Sequence, residues 1–231
     1  MEAIFVAGFL IGMKHALEAD HVAAVASLAT GARSGRETLR LGVIWGIGHS
    51  ITIFVVGAAV MALETAVPGR IAAMLELAVG VMLVLLGADV LRRVIRERVH
   101  FHSHRHGATA HFHAHSHAGE GSHSESRHAH AHGLGSRALL VGIVHGLAGS
   151  AALVLLTLTT LPSWSAGLGY MALFGAGSIL GMAVLSGALA VPLRLTARRM
   201  TWAYNGLAAV VGLFTMSLGA AIALKQVLVL I

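Results

Sequence analysis

The amino-acid sequence predicts an all-α polytopic membrane protein. Six transmembrane helices are expected as a 3+3 inverted repeat, with a disordered His-rich loop between helices three and four. Three observations carry this expectation. The first is composition: 56% of the 231 residues are hydrophobic and 11% are charged, with a mean hydropathy of +0.79, outside the usual range of soluble domains. The second is a set of six apolar windows, roughly 3–29, 41–63, 71–91, 138–161, 166–193 and 202–224. Each provides the roughly 20 residues that a helix needs to cross a bilayer, and helices satisfy their own backbone in lipid. The third is self-similarity between the two halves of the chain.

That similarity has nearly one offset. His15-Ala16-Leu17 matches His145-Gly146-Leu147 at 130 positions, Gly46-x-Gly48 matches Gly175-x-Gly177 at 129, and Gly80 and Gly87 match Gly212 and Gly219 at 132. Three helices per copy is an odd number, so the two copies run oppositely through the membrane, a common transporter plan with a site near the midplane. The expected domains are therefore 1–91 (first repeat), 92–136 (His-rich loop) and 137–231 (second repeat).

Helix one, 3–29, carries Lys14-His15-Ala16-Leu17-Glu18-Ala19-Asp20-His21 in its middle. A central Lys or Asp costs about 2.5–3.5 kcal/mol, and each Leu, Ile, Val or Phe returns only about 0.3–0.6. The ten such apolar residues from Ile4 to Leu28 do not offset five ionisable groups. The polar face must look into protein or a wet cavity, and such residues are functional candidates. The window has no basic n-region or small-residue cleavage site, so it is not expected to be a removable signal peptide. On an ideal helix His15, Glu18 and His21 make a stripe, while Asp20 points about 100° away from His21. Either the helix unwinds here, or Asp20 accepts the other N–H of a ligating His.

Orientation follows from Lys and Arg. The loops after helices one, three and five hold thirteen Arg; the opposite side holds only Arg70 and Lys225. The positive-inside rule puts those three loops in the cytoplasm and both termini outside. The pI near 11.0 is thus a topology signal, with membrane lipid rather than nucleic acid as the surroundings. No cysteine is present, so there is neither a disulfide nor a thiolate metal site.

Helix two contributes His49 and Ser50, and helix four contributes His145. His21, His49 and His145 each lie eight or nine residues from a cytoplasmic helix end, which at 1.5 Å per residue is about 12–14 Å deep. Three helices thereby bring a His to one level, next to Asp20. His and carboxylate without thiolate suit Ni, Co, Zn or Mn more than Cu(I). The bland alternative for these His is buried polar packing between helices. Glu76 in helix three matches Asn205 in helix six at offset 129; both are candidates for the ion path, or for hydrogen bonding between helices. Asp89 is expected to pair with Arg92 or Arg93. Trp164, Tyr170 and Trp202 read as interface anchors.

The loop holds twelve His between positions 100 and 132: His100, His102, His104, His106, His111, His113, His115, His117, His123, His128, His130 and His132. Such a composition builds no core. It reads as weak, multivalent capture of divalent metal, or as a solubilising linker with incidental His.

His15-Ala-Leu-Glu-Ala-Asp20-His21 resembles the His-x4-Asp-His signature of the nickel/cobalt transporter family, NiCoT and its NicO relatives. Gly42-Val-Ile-Trp-Gly-Ile-Gly48-His49-Ser50 is similar to that family's second motif, centred on Gly-His-Ser. The resemblance implies a secondary transporter for Ni2+ or Co2+, with His15, Asp20, His21 and His49 as essential residues. Glu18, Ser50 and His145 are further candidates for the metal or its path. No cofactor is expected, the metal being transported substrate, and metal-delivery or urease/hydrogenase maturation proteins are the implied partners. Larger family members carry eight helices; this chain lacks the first and adds the His loop, which makes it more similar to the urease-linked and nickel-resistance branches. An intramembrane metalloenzyme and a membrane-bound metal buffer are the competing readings. A zinc protease would want His-Glu-x-x-His, which is absent, and a buffer needs no ligands inside helix one. A transporter, not an enzyme, is expected.

Overall fold

The computed structural model describes residues 2–63, 67–97, 100–106, 109–115, 132–148, 163–199 and 201–231. The described helices are α1 (Glu2–His15), α2 (Ala19–Ala29), α3 (Gly35–Leu63), α4 (Gly69–Glu97), α5 (His132–Gly146), α6 (Trp164–Arg199) and α7 (Thr201–Leu230). Four of them, α3, α4, α6 and α7, are long and apolar enough to cross a membrane. Many large apolar side chains face outward, among them Val6, Leu85, Val210 and Leu228. In water such a surface would be an association hazard; in lipid it is the expected one.

Helix one unwinds at its motif, one of the two alternatives the sequence left open. α1 stops at His15, and α2 starts at Ala19 after an extended Glu18 (φ −64°, ψ 148°). Tight turns close the end of α1, Leu17 N–H donating to Lys14 O and Glu18 N–H to His15 O. Asp20, in the first turn of α2, accepts the His21 backbone N–H at 2.9 Å, and its charge suits the positive end of that helix. α5 ends in the same way: Leu147 N–H donates to Val144 O and Ala148 N–H to His145 O. The fourth window was expected at 138–161; its part from 149 on lies outside the described residues.

Both boundaries of the expected loop also change. α4 runs on to Glu97, so Arg92, Arg93 and Arg96 sit on a helix. α5 begins at His132, which therefore belongs to a helix rather than the loop. Between them, β1 (His100–His106) and β2 (Thr109–His115) form an antiparallel hairpin that pairs His100 with His115, His102 with His113 and His104 with His111. The expectation of a disordered loop is corrected at these residues, which lie between the helices of an otherwise helical chain. The reason is local: His alternates there with Phe, Ser, Arg or Ala, and a period of two is the strand period. Residues 116–131, with His117, His123, His128 and His130, lie outside the described residues.

The long helices pack in pairs, α4 along α7 and α3 along α6, with α1 on α6 and α5 on α3. Glycine sets the contacts, because only a missing Cβ lets two backbones come this close. A Cβ on Gly80 would meet the Gly219 carbonyl, and one on Gly87 the Gly212 carbonyl. Gly48 lies against Leu139 of α5, while Gly142 and Gly146 lie against the backbone of Trp45 and His49. Tyr170 is not an interface anchor. It is 2% exposed, and its ring covers Gly8 of α1. Trp164 and Trp202 are exposed.

α2 is the centre of the bundle, touching α3, α4, α5, α6 and α7. Thr215 Oγ1 and Ser27 Oγ are 2.9 Å apart, and the Tyr204 hydroxyl donates to the Thr30 carbonyl at 2.7 Å, covering the end of α2. The core around it contains Ala23, Ala24, Val25, Leu28, Trp45, Leu83 and Met182.

Candidate metal site

Four His rings meet where α1 breaks into α2. His15 closes α1, His21 lies in the first turn of α2, His49 faces them from α3, and His145 lies in the last turn of α5. All four are buried, at 5%, 1%, 0% and 2% exposure. His21 is central. Its ring centroid lies 4.2 Å from His15, 4.2 Å from His145 and 5.0 Å from His49. The break makes this convergence. A continuous helix would have turned Asp20 away, whereas the restarted helix aims it at His21 and His145.

The hydrogen bonds fix which ring nitrogens carry protons. An ionised carboxylate only accepts. His21 Nδ1 therefore donates to Asp20 Oδ1 at 2.9 Å, and His145 Nε2 donates to Asp20 Oδ2 at 2.9 Å. His15 Nδ1 donates to Glu18 Oε1 at 2.9 Å. In the neutral rings the opposite nitrogens then keep free lone pairs, as in metal sites where a carboxylate orients a ligating His. Among the described residues His21 Nε2 and His145 Nδ1 have no hydrogen-bond partner, and neither has His49 Nδ1. His15 Nε2 lies 3.2 Å from His49 Nε2, so His49 donates that bond. One carboxylate thus holds two imidazoles, and a second, half-exposed one holds a third.

Two overlapping sets can hold a divalent ion: His15, His21 and His49, and Asp20, His21 and His145, with ligand atoms within 4.8 Å of one another in each. Lone pairs buried without partners are costly, and a cation repays that cost. The C-terminal ends of α1 and α5 both terminate here, adding the negative end of two helix dipoles.

Other candidates lie elsewhere. Ser50 donates to the Gly175 carbonyl at 3.1 Å and ties α3 to α6. Glu76 accepts from Gln226 Nε2, a hydrogen bond between α4 and α7. The side-chain oxygen of Asn205 is buried without a hydrogen-bond partner among the described residues. Asp89 lies 3.5 Å from Arg93 and 3.6 Å from Arg137 rather than beside Arg92. Of the described loop His, seven lie on the hairpin and His132 on α5.

Sequence reasoning missed two aromatic walls. Trp45 is fully buried, its ring 5.4 Å from His21 and 5.5 Å from His145. It precedes His49 by four residues, a spacing that puts both on one helix face. Phe174 of α6 stands 5.4 Å from His15, and no local signal pointed to it.

Comparison with known proteins points to one family. A family model described as "NicO: High-affinity nickel-transport protein" matches residues 1–231. The "Urease accessory protein UreH" of Bacillus sp. (strain TB-90) is 32% identical over 198 residues, covering 86% of this chain and 81% of that protein. No solved structure matches.

Proposed function

This chain belongs to the NicO family of high-affinity nickel-transport proteins, and we propose that it is a secondary transporter carrying Ni2+, and Co2+ beside it, through the His/Asp site at the broken helix. One observation carries the reading. Four buried His and a carboxylate converge where an apolar helix is interrupted. His15, Asp20, His21 and His49 are the metal ligands, and His145 is a fifth. The two sets share His21, so the ion moves from one to the other by exchanging ligands around a fixed imidazole. Glu18 orients His15. Ser50 and Glu76 act in helix packing, and Asn205 stays a candidate for the ion path.

The scaffold is an inverted repeat of two three-helix units, 1–91 and 137–231, crossing the membrane six times, with 92–136 between them. Exchanged contacts support this. Gly80 and Gly87 correspond to Gly212 and Gly219, and the contacts run crosswise, Gly80 to Gly219 and Gly87 to Gly212. Gly46 lies against Ile179 as Gly175 lies against Ser50. The turns after His15 and His145 also correspond. A two-fold axis in the membrane plane produces such exchanges.

The thirteen-to-two Arg/Lys bias supports an orientation with both termini outside and the His loop in the cytoplasm. The loop captures metal at that mouth. A urease-related relative supports metal-delivery or urease/hydrogenase maturation proteins as partners there. The test is radiolabelled nickel accumulation in cells with and without the gene, with Co2+ and Zn2+ as competitors. Gene-dependent flux reduced by Co2+ more than by Zn2+ is expected; flux equal in both strains would overturn the reading.

A further inference from the structure

A cavity of about 560 Å3 opens at the end of the bundle where α2 and α4 finish and α5 begins. Arg92, Arg93, Arg96 and Arg137 surround it, with Asp89 as the single carboxylate among the described lining residues. Leu28, Leu86 and Leu134 make its apolar part. Neither the nickel chemistry nor helix packing accounts for it. Four guanidiniums against one carboxylate leave a local charge near +3, which repels a divalent cation.

The guanidiniums are poorly satisfied. Asp89 is 3.5 Å from Arg93 and 3.6 Å from Arg137, longer than the roughly 2.7–2.9 Å of a charge-assisted hydrogen bond. Arg93 reaches Thr30 Oγ1 only at 3.3 Å. Arg92 and Arg96 have no ion-pair partner among the described residues. They stand four apart on α4, a spacing that puts them on one face, with Arg137 across the cavity on α5. Arginines from two helices facing one space match an anion with several acceptor oxygens, because the guanidinium fork fits phosphate bidentately. The volume falls in the range of small-molecule sites, about 300–1,000 Å3.

We propose that this cavity binds a phosphate-bearing anion, held by Arg92, Arg96 and Arg137 and bridging α4 to α5 beside the end of α2. Two sources share this chemistry. An anionic lipid headgroup would place its phosphate among the arginines and an acyl chain against Leu28, Leu86 and Leu134, as basic pockets between membrane helices do. A soluble phosphate would use the arginines alone. Arg93 keeps its structural role, tying α4 to α2 through Thr30.

The experiment uses the full chain purified in detergent and stripped of lipid. One arm adds cardiolipin, phosphatidylglycerol or phosphatidylcholine and reads bound lipid by native mass spectrometry. The other titrates inorganic phosphate against chloride at fixed ionic strength and reads the unfolding temperature. The variants are Arg92→Gln/Arg96→Gln and, separately, Arg137→Gln, which leaves α4 untouched should the double variant misfold. Arg36→Gln/Arg40→Gln, exposed on α3 and away from the cavity, is the charge-matched control. At least a five-fold loss of anionic-lipid or phosphate binding in the cavity variants, with the control like wild type, is expected. A response to lipid alone identifies a headgroup, and a response to phosphate alone a soluble anion. No binding by wild type, or an equal loss in the control, would overturn the proposal.

Discussion

Asp20 organises the proposed site at the residue scale, because its two oxygens hold two imidazoles from different helices. Asp20→Asn keeps the shape but turns one acceptor into a donor, so either His21 or His145 loses its orienting bond. Loss of such a bond typically costs about 10–100-fold in metal affinity or activity. We expect nickel flux to fall by that factor with normal membrane insertion, read by radiolabelled uptake alongside immunoblotting. His145→Ala should cost at least as much, since it removes a ring from the second ligand set. Both ends of this pair were visible in the sequence. Asp20 stood out by its cost in lipid, and His145 through its match to His15 and its depth. The break between α1 and α2 was left open, because Ala16, Leu17 and Glu18 are good helix formers with no Gly or Pro to mark an interruption. Burial of Asp20 against two imidazoles outweighs that propensity. Trp45 and Phe174 were not legible as site walls, since which apolar side chain reaches a site depends on helix packing that no local pattern encodes.

At the scale of the helix, the glycines decide what packs. A Cβ on Gly87 would meet backbone atoms of Gly212 and Met216, which cannot swing away, whereas one on Gly69 would meet nothing within 4 Å. Gly87→Ala should therefore lower the unfolding temperature in detergent by several degrees, on the order of 1–3 kcal/mol for overpacking, and Gly69→Ala should leave it unchanged or slightly raised. Differential scanning fluorimetry of both variants reads this directly. The glycine correspondence was legible as an offset in the chain. Which glycine faces which was not, because crosswise contacts exist only after the halves assemble. Tyr170 shows the same limit. An aromatic near a window end suits the interface, yet here the missing side chain of Gly8 leaves a slot for its ring.

On the scale of the whole molecule, a broken central helix is held inside a lipid-facing shell, with a His-rich segment outside it. The loop should tune transport and not perform it. Imidazoles with an unperturbed pKa near 6.5 are mostly neutral at pH 7 and able to ligate; below that pH they protonate and lose the metal. Replacing 100–131 with a Gly/Ser linker should change apparent affinity several-fold at pH 7, through local concentration of weak ligands. The difference should fade near pH 5.5, as measured by nickel flux against concentration at both values. Topology is testable because the chain has no Cys. A single Cys placed near position 120 should resist an impermeant thiol reagent in intact cells and react after lysis. Four long apolar helices were readable because hydropathy acts residue by residue. The hairpin was misread because His carries no clear structural preference, and its alternation with small and aromatic residues passed for low complexity.

The most direct test of the intramembrane site is nickel flux into proteoliposomes reconstituted with wild-type protein or with His15→Ala, Asp20→Ala or His21→Ala. Each variant is first shown to be inserted and monodisperse. The broken-helix site predicts flux at the protein-free background for all three, with wild type well above it. Near-wild-type flux in any two of them would contradict it.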